Sequence, residues 1–175
     1  MSEKRMEEHL KSLACLLHSA FFGVFSALKE EFGFFEAWNR AINRINALNL
    51  YLEFIEDKDL EDLFRELEKT GIYEGLELKQ EGNKITFKIG KCLFANSKDG
   101  VHQKLRLVDI PCPLALFFGT YLARQYRPMK VYAYPTAYDK EGSTTDIELL
   151  SPEKYKEKMN VLREIVEAER KIQRT

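Results

Sequence analysis

The sequence predicts an α+β fold with a mainly antiparallel sheet. Apolar residues recur at helical spacing from residue 6 to about residue 70, alternate strictly between Leu76 and Ile89, and return to helical spacing after Ser151-Pro152. Helices first, then two hairpins around one central helix, then a long C-terminal helix is the order of an α+β domain rather than of βαβ units. A chain of 175 residues suits one domain. Within it we distinguish an N-terminal apolar helix (1–34), a core (35–150) and a C-terminal helix (151–175).

The first helix is expected over residues 6–30. Leu10, Leu13, Leu17, Phe21, Val24 and Leu28 fall on one stripe, with Cys15, His18, Phe22 and Phe25 on a neighbouring one. A helix apolar nearly all round is either central in the core or covered by another subunit. Gly33 ends it. A second helix is expected over 34–55, with Phe35, Trp38, Ile42, Ile45, Leu48 and Leu52 at helical spacing. Asp57 or Asp59 caps a third, short helix whose inner face is Leu60, Leu63, Phe64 and Leu67, and Gly71 follows its end.

Leu76 and Leu78 then alternate with charged residues, Glu81-Gly82-Asn83 makes a turn, and Ile85, Phe87 and Ile89 alternate again. This is a hairpin signal. A further strand is expected at Lys104–Ile110, broken by Pro111-Cys112-Pro113. The central helix starts at Pro113, where a missing N–H costs little, and stops before Pro128. Met129–Pro135 and Thr144–Leu150 form the second hairpin around a polar loop, Asp139 to Ser143. Ser151-Pro152 supplies an N-cap and first-turn pair for a helix to about Gln173.

Lys+Arg (27) and Asp+Glu (28) nearly cancel, which argues against a nucleic-acid surface. Three cysteines, Cys15, Cys92 and Cys112, are too few for a disulfide framework and point to a reducing compartment. Acidic Glu3, Glu7 and Glu8 do not suit a secretory leader. The apolar stretch Leu13–Leu28 is about 16 residues, short of the ~20 a membrane span needs. The expectation is a cytoplasmic chain without a membrane span. The C-terminal helix balances Glu153, Glu157, Glu164, Glu167 and Glu169 against its lysines and arginines, and reads as a solvated face.

The constellation nearest to chemistry is Cys92, His102 and Cys112. Thiolate and imidazole suit zinc, which would be the cofactor on this reading. Two element ends and one loop would have to converge. The alternative is two buried cysteines packed as small hydrophobes and a surface histidine. Cys112 at a helix start would have a thiolate favoured by the helix dipole, but no orienting base is recognisable beside it. We assign no catalytic residue. Aromatic residues abound, with 12 Phe and 8 Tyr, and Phe22, Phe94, Phe117 and Phe118 are candidates to line an apolar ligand cavity. Tyr132, Tyr134 and Tyr138 fall on one hairpin face, either as a binding surface or covered by the terminal helix.

With these residues in view, the chain resembles the 4-vinyl reductase domain family over roughly residues 35–150. The resemblance rests on Ala41–Phe54, Leu60–Lys69, the strand ending Lys91-Cys92-Leu93-Phe94-Ala95, the helix opening Cys112-Pro113-Leu114-Ala115-Leu116-Phe117-Phe118-Gly119, and the closing hairpin Val131–Leu150. It implies a fold shared with haem-nitric-oxide-binding domains and with vesicle-tethering (TRAPP) subunits, binding of small hydrophobic molecules, and dimers. Many members carry cysteines in the closing hairpin, where this chain has Tyr138, Ser143, Thr144 and Thr145. No nicotinamide or flavin fingerprint accompanies it. The expected function is a small-molecule-binding or sensory domain for an apolar ligand such as a hydrocarbon, working as a homodimer. The alternatives are a zinc protein built on Cys92, His102 and Cys112, and a dimeric protein-interaction module.

Overall fold

The computed structural model describes residues 3–48, 59–92 and 112–173. Two helices, α1 (Glu3–Phe32) and α2 (Phe34–Leu48), meet at Gly33. Helix α3 (Leu60–Lys69) is capped by Asp59, whose carboxylate accepts from the Asp62 N–H at 2.8 Å. Strands β1 (Tyr73–Glu81) and β2 (Lys84–Cys92) form the first hairpin, turning at Gly82 with φ +62°. Helix α4 (Pro113–Gln125) follows Cys112. Strands β3 (Lys130–Ala133), β4 (Ala137–Tyr138) and β5 (Ser143–Leu150) and helix α5 (Pro152–Gln173) complete the described chain. The expected strand at Lys104–Ile110, the end of the second helix with Leu52, and the alternative cap Asp57 lie outside the described residues.

The mixed helix and sheet architecture is the α+β class expected. Among the described residues the sheet runs β1-β2-β5-β3, with β4 also on β5, and every pairing is antiparallel. The expected strand Met129–Pro135 is observed as the shorter Lys130–Ala133, and the register changes beyond it. Ala133 pairs with Ile147, but Ala137 pairs with Thr144, so four steps along one strand meet three along the other. One extra residue is a β-bulge, and it lies around Pro135, which has no N–H to give a ladder. The bulge swaps the faces. Tyr132 and Tyr134 stay on the α5 side, whereas Tyr138 packs on the main core. The three tyrosines therefore do not share a face.

The main core lies between the helices α1–α4 and one face of the sheet. Phe118 is fully buried, with ring centroids 5.6 Å from Phe64 and 5.0 Å from Phe87. Burying such a ring contributes about 1.5–3 kcal/mol. Helix α4 comes close to α2 because residue 119 is glycine. A Cβ there would lie 3.0 Å from Trp38 Cζ2.

On the opposite face, Tyr132, Leu150 and Met159 form a second, smaller cluster under α5. Polar contacts hold α5 down. Lys158 Nζ donates to Tyr134 Oη and to Glu148 Oε2, both at 2.8 Å, and sits 3.9 Å from the Tyr132 ring centre. Arg163 donates to Glu36 Oε2 at 2.9 Å. Arg170 donates to the Glu30 and Glu31 carbonyls that end α1.

Helix α1 is not central in the core. Phe22 and Phe25 are buried and Phe21 and Leu28 pack beside them. Leu13, Leu16, Leu17 and Val24 are 52–67% exposed. The single stripe expected from Leu10 to Leu28 thus splits between two faces. No helix among the described residues is long and apolar enough to cross a membrane.

Candidate functional site

Two of the sequence candidates, Cys92 and Cys112, lie at the end of the sheet where β2 stops and α4 starts. Cys92 closes β2 and Cys112 is the N-cap of α4, both with 3% exposure. Cys112 takes an extended conformation (φ −60°, ψ 130°), and its carbonyl accepts from Leu116 N–H at 2.9 Å. Its side chain does not supply the usual capping oxygen. The bulge does so indirectly. It turns Thr136 inward, and Thr136 Oγ1 accepts the Cys112 N–H at 3.0 Å. Thr136 Oγ1 also lies 2.8 Å from Thr145 Oγ1, in a hydroxyl pair buried on both sides.

The loop before β5 closes over the end of β2. Cys92 N–H donates to the Glu141 carbonyl at 2.6 Å. Asp139 Oδ1 accepts from Glu141 N–H at 2.7 Å and shapes the turn. Gly142 is obligatory here, because a Cβ would lie 1.8 Å from the Ile89 carbonyl oxygen.

Tyr138 and Ser143 face each other across β4 and β5, and both belong to this end. Burial, then the neighbouring Cys112 and Cys92, pushes the Tyr138 phenol far above its ordinary range, with a hydrogen bond to Thr136 acting against them. Burial also pushes the Cys112 thiol up, opposed by the N–H groups of Ala115 and Leu114 and by the Ser143 hydroxyl. The expectation of a thiolate stabilised by the helix dipole is reversed by desolvation. The Ser143 hydroxyl is 1% exposed. It faces this thiol without closing a full hydrogen bond to any described atom. The end of the sheet is therefore a polar cluster of two buried thiols, a phenol and three hydroxyls. Such a cluster offers hydrogen-bonding groups rather than a reactive centre, because a thiol kept neutral is a poor nucleophile.

Of the metal candidates, Cys92 and Cys112 come to one end of the sheet, while His102 lies outside the described residues. No group of three or more His, Cys, Asp or Glu that could hold a metal occurs among the described residues. Of the ligand candidates, Phe118 is a core ring, Phe22 is buried on α1 and Phe117 is half-buried. Phe94 lies outside the described residues. Cys15 and His18 are on α1, and their side chains are likewise outside what is described. Sequence reasoning gave no role to Thr136, and named Ser143 and Thr145 only as standing where many members of the resembling family carry cysteines. For Thr136 the signal was Pro135, which is out of place in an unbroken strand.

No protein-family model matches the chain, and no curated protein and no solved structure matches it.

Proposed function

We propose that the chain is a small-molecule sensory domain that works as a homodimer, paired through the outer face of α1. One observation carries this reading: Leu13, Leu16, Leu17 and Val24 stand more than half exposed on one helix. Single exposed leucines are ordinary, but a row of them over three turns marks an interaction site. Ala20, Gly23 and Ala27, also exposed, leave room on the same face for a second helix to approach closely. A second copy presents the same apolar row, as a two-fold interface requires. Light scattering tests the pairing. The expected mass is twice 20.5 kDa, falling to 20.5 kDa in Leu13→Glu/Leu17→Glu with an unchanged circular dichroism spectrum. A monomeric parent chain at millimolar concentration overturns the pairing.

The sensory half of the reading is supported by the cluster around Cys112 and by the resemblance to 4-vinyl reductase domains. The apolar ligand would meet the Ser143 hydroxyl and the Tyr138 phenol at its polar end. Native mass spectrometry and thermal shift against a lipid and hydrocarbon panel test it. A stabilising species lost in Ser143→Val supports the site, and a panel with no bound or stabilising species sinks it.

A zinc site is a second reading, favoured by the two buried thiols at one end of the sheet. Cys92 and Cys112 fit zinc chemically but make up half of a tetrahedral shell. Elemental analysis of untagged protein decides: stoichiometric zinc lost in Cys112→Ser supports it, and metal indifferent to that change removes it.

A further inference from the structure

A groove of about 450 Å³ opens between the C-terminal end of α4, α2 and the start of β3. That volume falls within the range of small-molecule sites, roughly 300–1,000 Å³. Its floor is apolar and comes from Ile42, Ala123, Met129 and Val131. Its rim carries Arg127 and Lys130, and no carboxylate lines it. The floor is buried or half-buried, while both cations are exposed. Among the described residues neither cation has an ion-pair partner. The C-terminal dipole of α4 already has Arg124 in its last turn, so helix capping does not account for Arg127. The hydroxyl of Ser151 takes the Lys154 N–H in the first turn of α5. The charge at the mouth is thus that of Arg127 and Lys130.

Behind the floor sits Trp38. Its Cζ2 and the methyl groups of Ile42 and Val131 converge on Gly119, at 3.0, 3.5 and 3.5 Å from where a Cβ there would be. Trp38 is 1% exposed, and its indole N–H has no acceptor among the described residues. It is also the sole tryptophan of the chain.

We propose that this groove binds a small carboxylate with a compact apolar body, such as an arylalkanoate. The carboxylate lies between Arg127 and Lys130, where charge-assisted hydrogen bonds form, and the apolar body rests on Ile42, Ala123, Met129 and Val131. The apolar floor rejects a bare anion, and the unpaired cations disfavour a neutral molecule. This site is separate from the α1 face and from the Cys112 cluster, and stands whether or not those readings hold.

The test is NMR titration of the full chain with 4-phenylbutyrate, 4-phenylbutanol and acetate. The expected result is a saturable shift of the Trp38 indole N–H and of the Ala123, Met129 and Val131 amides with 4-phenylbutyrate. The alcohol and acetate bind much more weakly. Arg127→Gln/Lys130→Gln, both surface changes, weakens 4-phenylbutyrate by about tenfold or more. The proposal is overturned by no saturable shift up to millimolar ligand, by equal binding of the alcohol, or by full binding in the double variant. Shifts confined to Cys112, Thr136 and Tyr138 also overturn it, while leaving the sensory reading intact.

Discussion

The Cys112 backbone N–H donates to Thr136 Oγ1 at 3.0 Å, so the start of α4 is capped by a side chain 24 residues away on a bulged edge strand. Helix start and sheet edge are therefore one unit. Thr136→Val leaves the Cys112 N–H buried without an acceptor and the Thr145 hydroxyl without its partner. An unsatisfied buried group costs about 1–3 kcal/mol. Urea denaturation should show a loss of that size. Thr136→Ser, which keeps the oxygen, should recover most of it. A valine variant as stable as the parent would mean that water takes over the bond.

Gly142 sets the tightest steric limit at this end. A methyl group there meets the Ile89 carbonyl oxygen at 1.8 Å and the Gly90 carbonyl oxygen at 2.4 Å, and backbone cannot swing aside as a side chain does. Gly142→Ala should lose on the order of 3 kcal/mol. Hydrogen exchange should localise the damage, with faster exchange at Cys92, whose N–H bonds to Glu141 next to the glycine.

Gly119→Ala weighs two effects of opposite sign. Alanine favours the helix by about 1 kcal/mol over glycine. Against that, its methyl would press the rigid Trp38 ring at 3.0 Å, and overpacking costs about 1–3 kcal/mol. The steric term wins, for a net loss of about 1 kcal/mol. The chain's sole tryptophan reports it directly, as a shift in fluorescence maximum that parallels the loss of stability. A gain in stability would show that α4 and α2 separate freely.

Acid should loosen α5 before it melts the sheet. Arg163 holds the Glu36 carboxyl below its usual value of 4.5, and Lys158 does the same for Glu148. A carboxyl depressed in the folded state stabilises fully above its unfolded pKa, and that stability is lost as pH falls through the folded value. The midpoint of thermal unfolding should therefore drop as pH falls below about 4.5. Glu36→Gln/Glu148→Gln should be less stable at neutral pH and show a flatter acid limb. A double variant with the parent's slope would assign the acid response elsewhere.

The parts that follow local rules were legible. Pro113 at a helix start, Gly82 in a two-residue turn, Asp59 ahead of Leu60 and Ser151 ahead of Pro152 each carry their reason within a few residues. Cys92 and Cys112 were correctly placed at element ends for that reason. The face of Tyr138 was not legible, because it depends on a one-residue register change set by pairing with β5. The two faces of α1 were not legible either. A helix apolar on most sides does not say which side the rest of the chain will cover. Thr145 reads as an ordinary strand residue, Ser143 as the end of a polar loop and Thr136 as a residue just past a strand, and only the bulge and the neighbouring thiol bring them together. Gly142 read as a turn residue, while its steric reason is the close passage of β2, more than 50 positions earlier in the chain.

The break at Pro135 also bears on how the protein behaves in concentrated solution. The edge formed by β3 and β4 is two short pieces separated by a kink, with an imino acid where a continuous edge would offer a donor. A passing strand from another molecule finds no straight row of amides to copy. The opposite edge, β1, is continuous, but charged side chains crowd it, Glu74, Glu77, Lys79 and Glu81 among them. Among the described residues, neither border of the sheet is a template for fibre growth. Removing the kink, for instance by Pro135→Val with deletion of Thr136, would turn a self-limiting border into a sticky one.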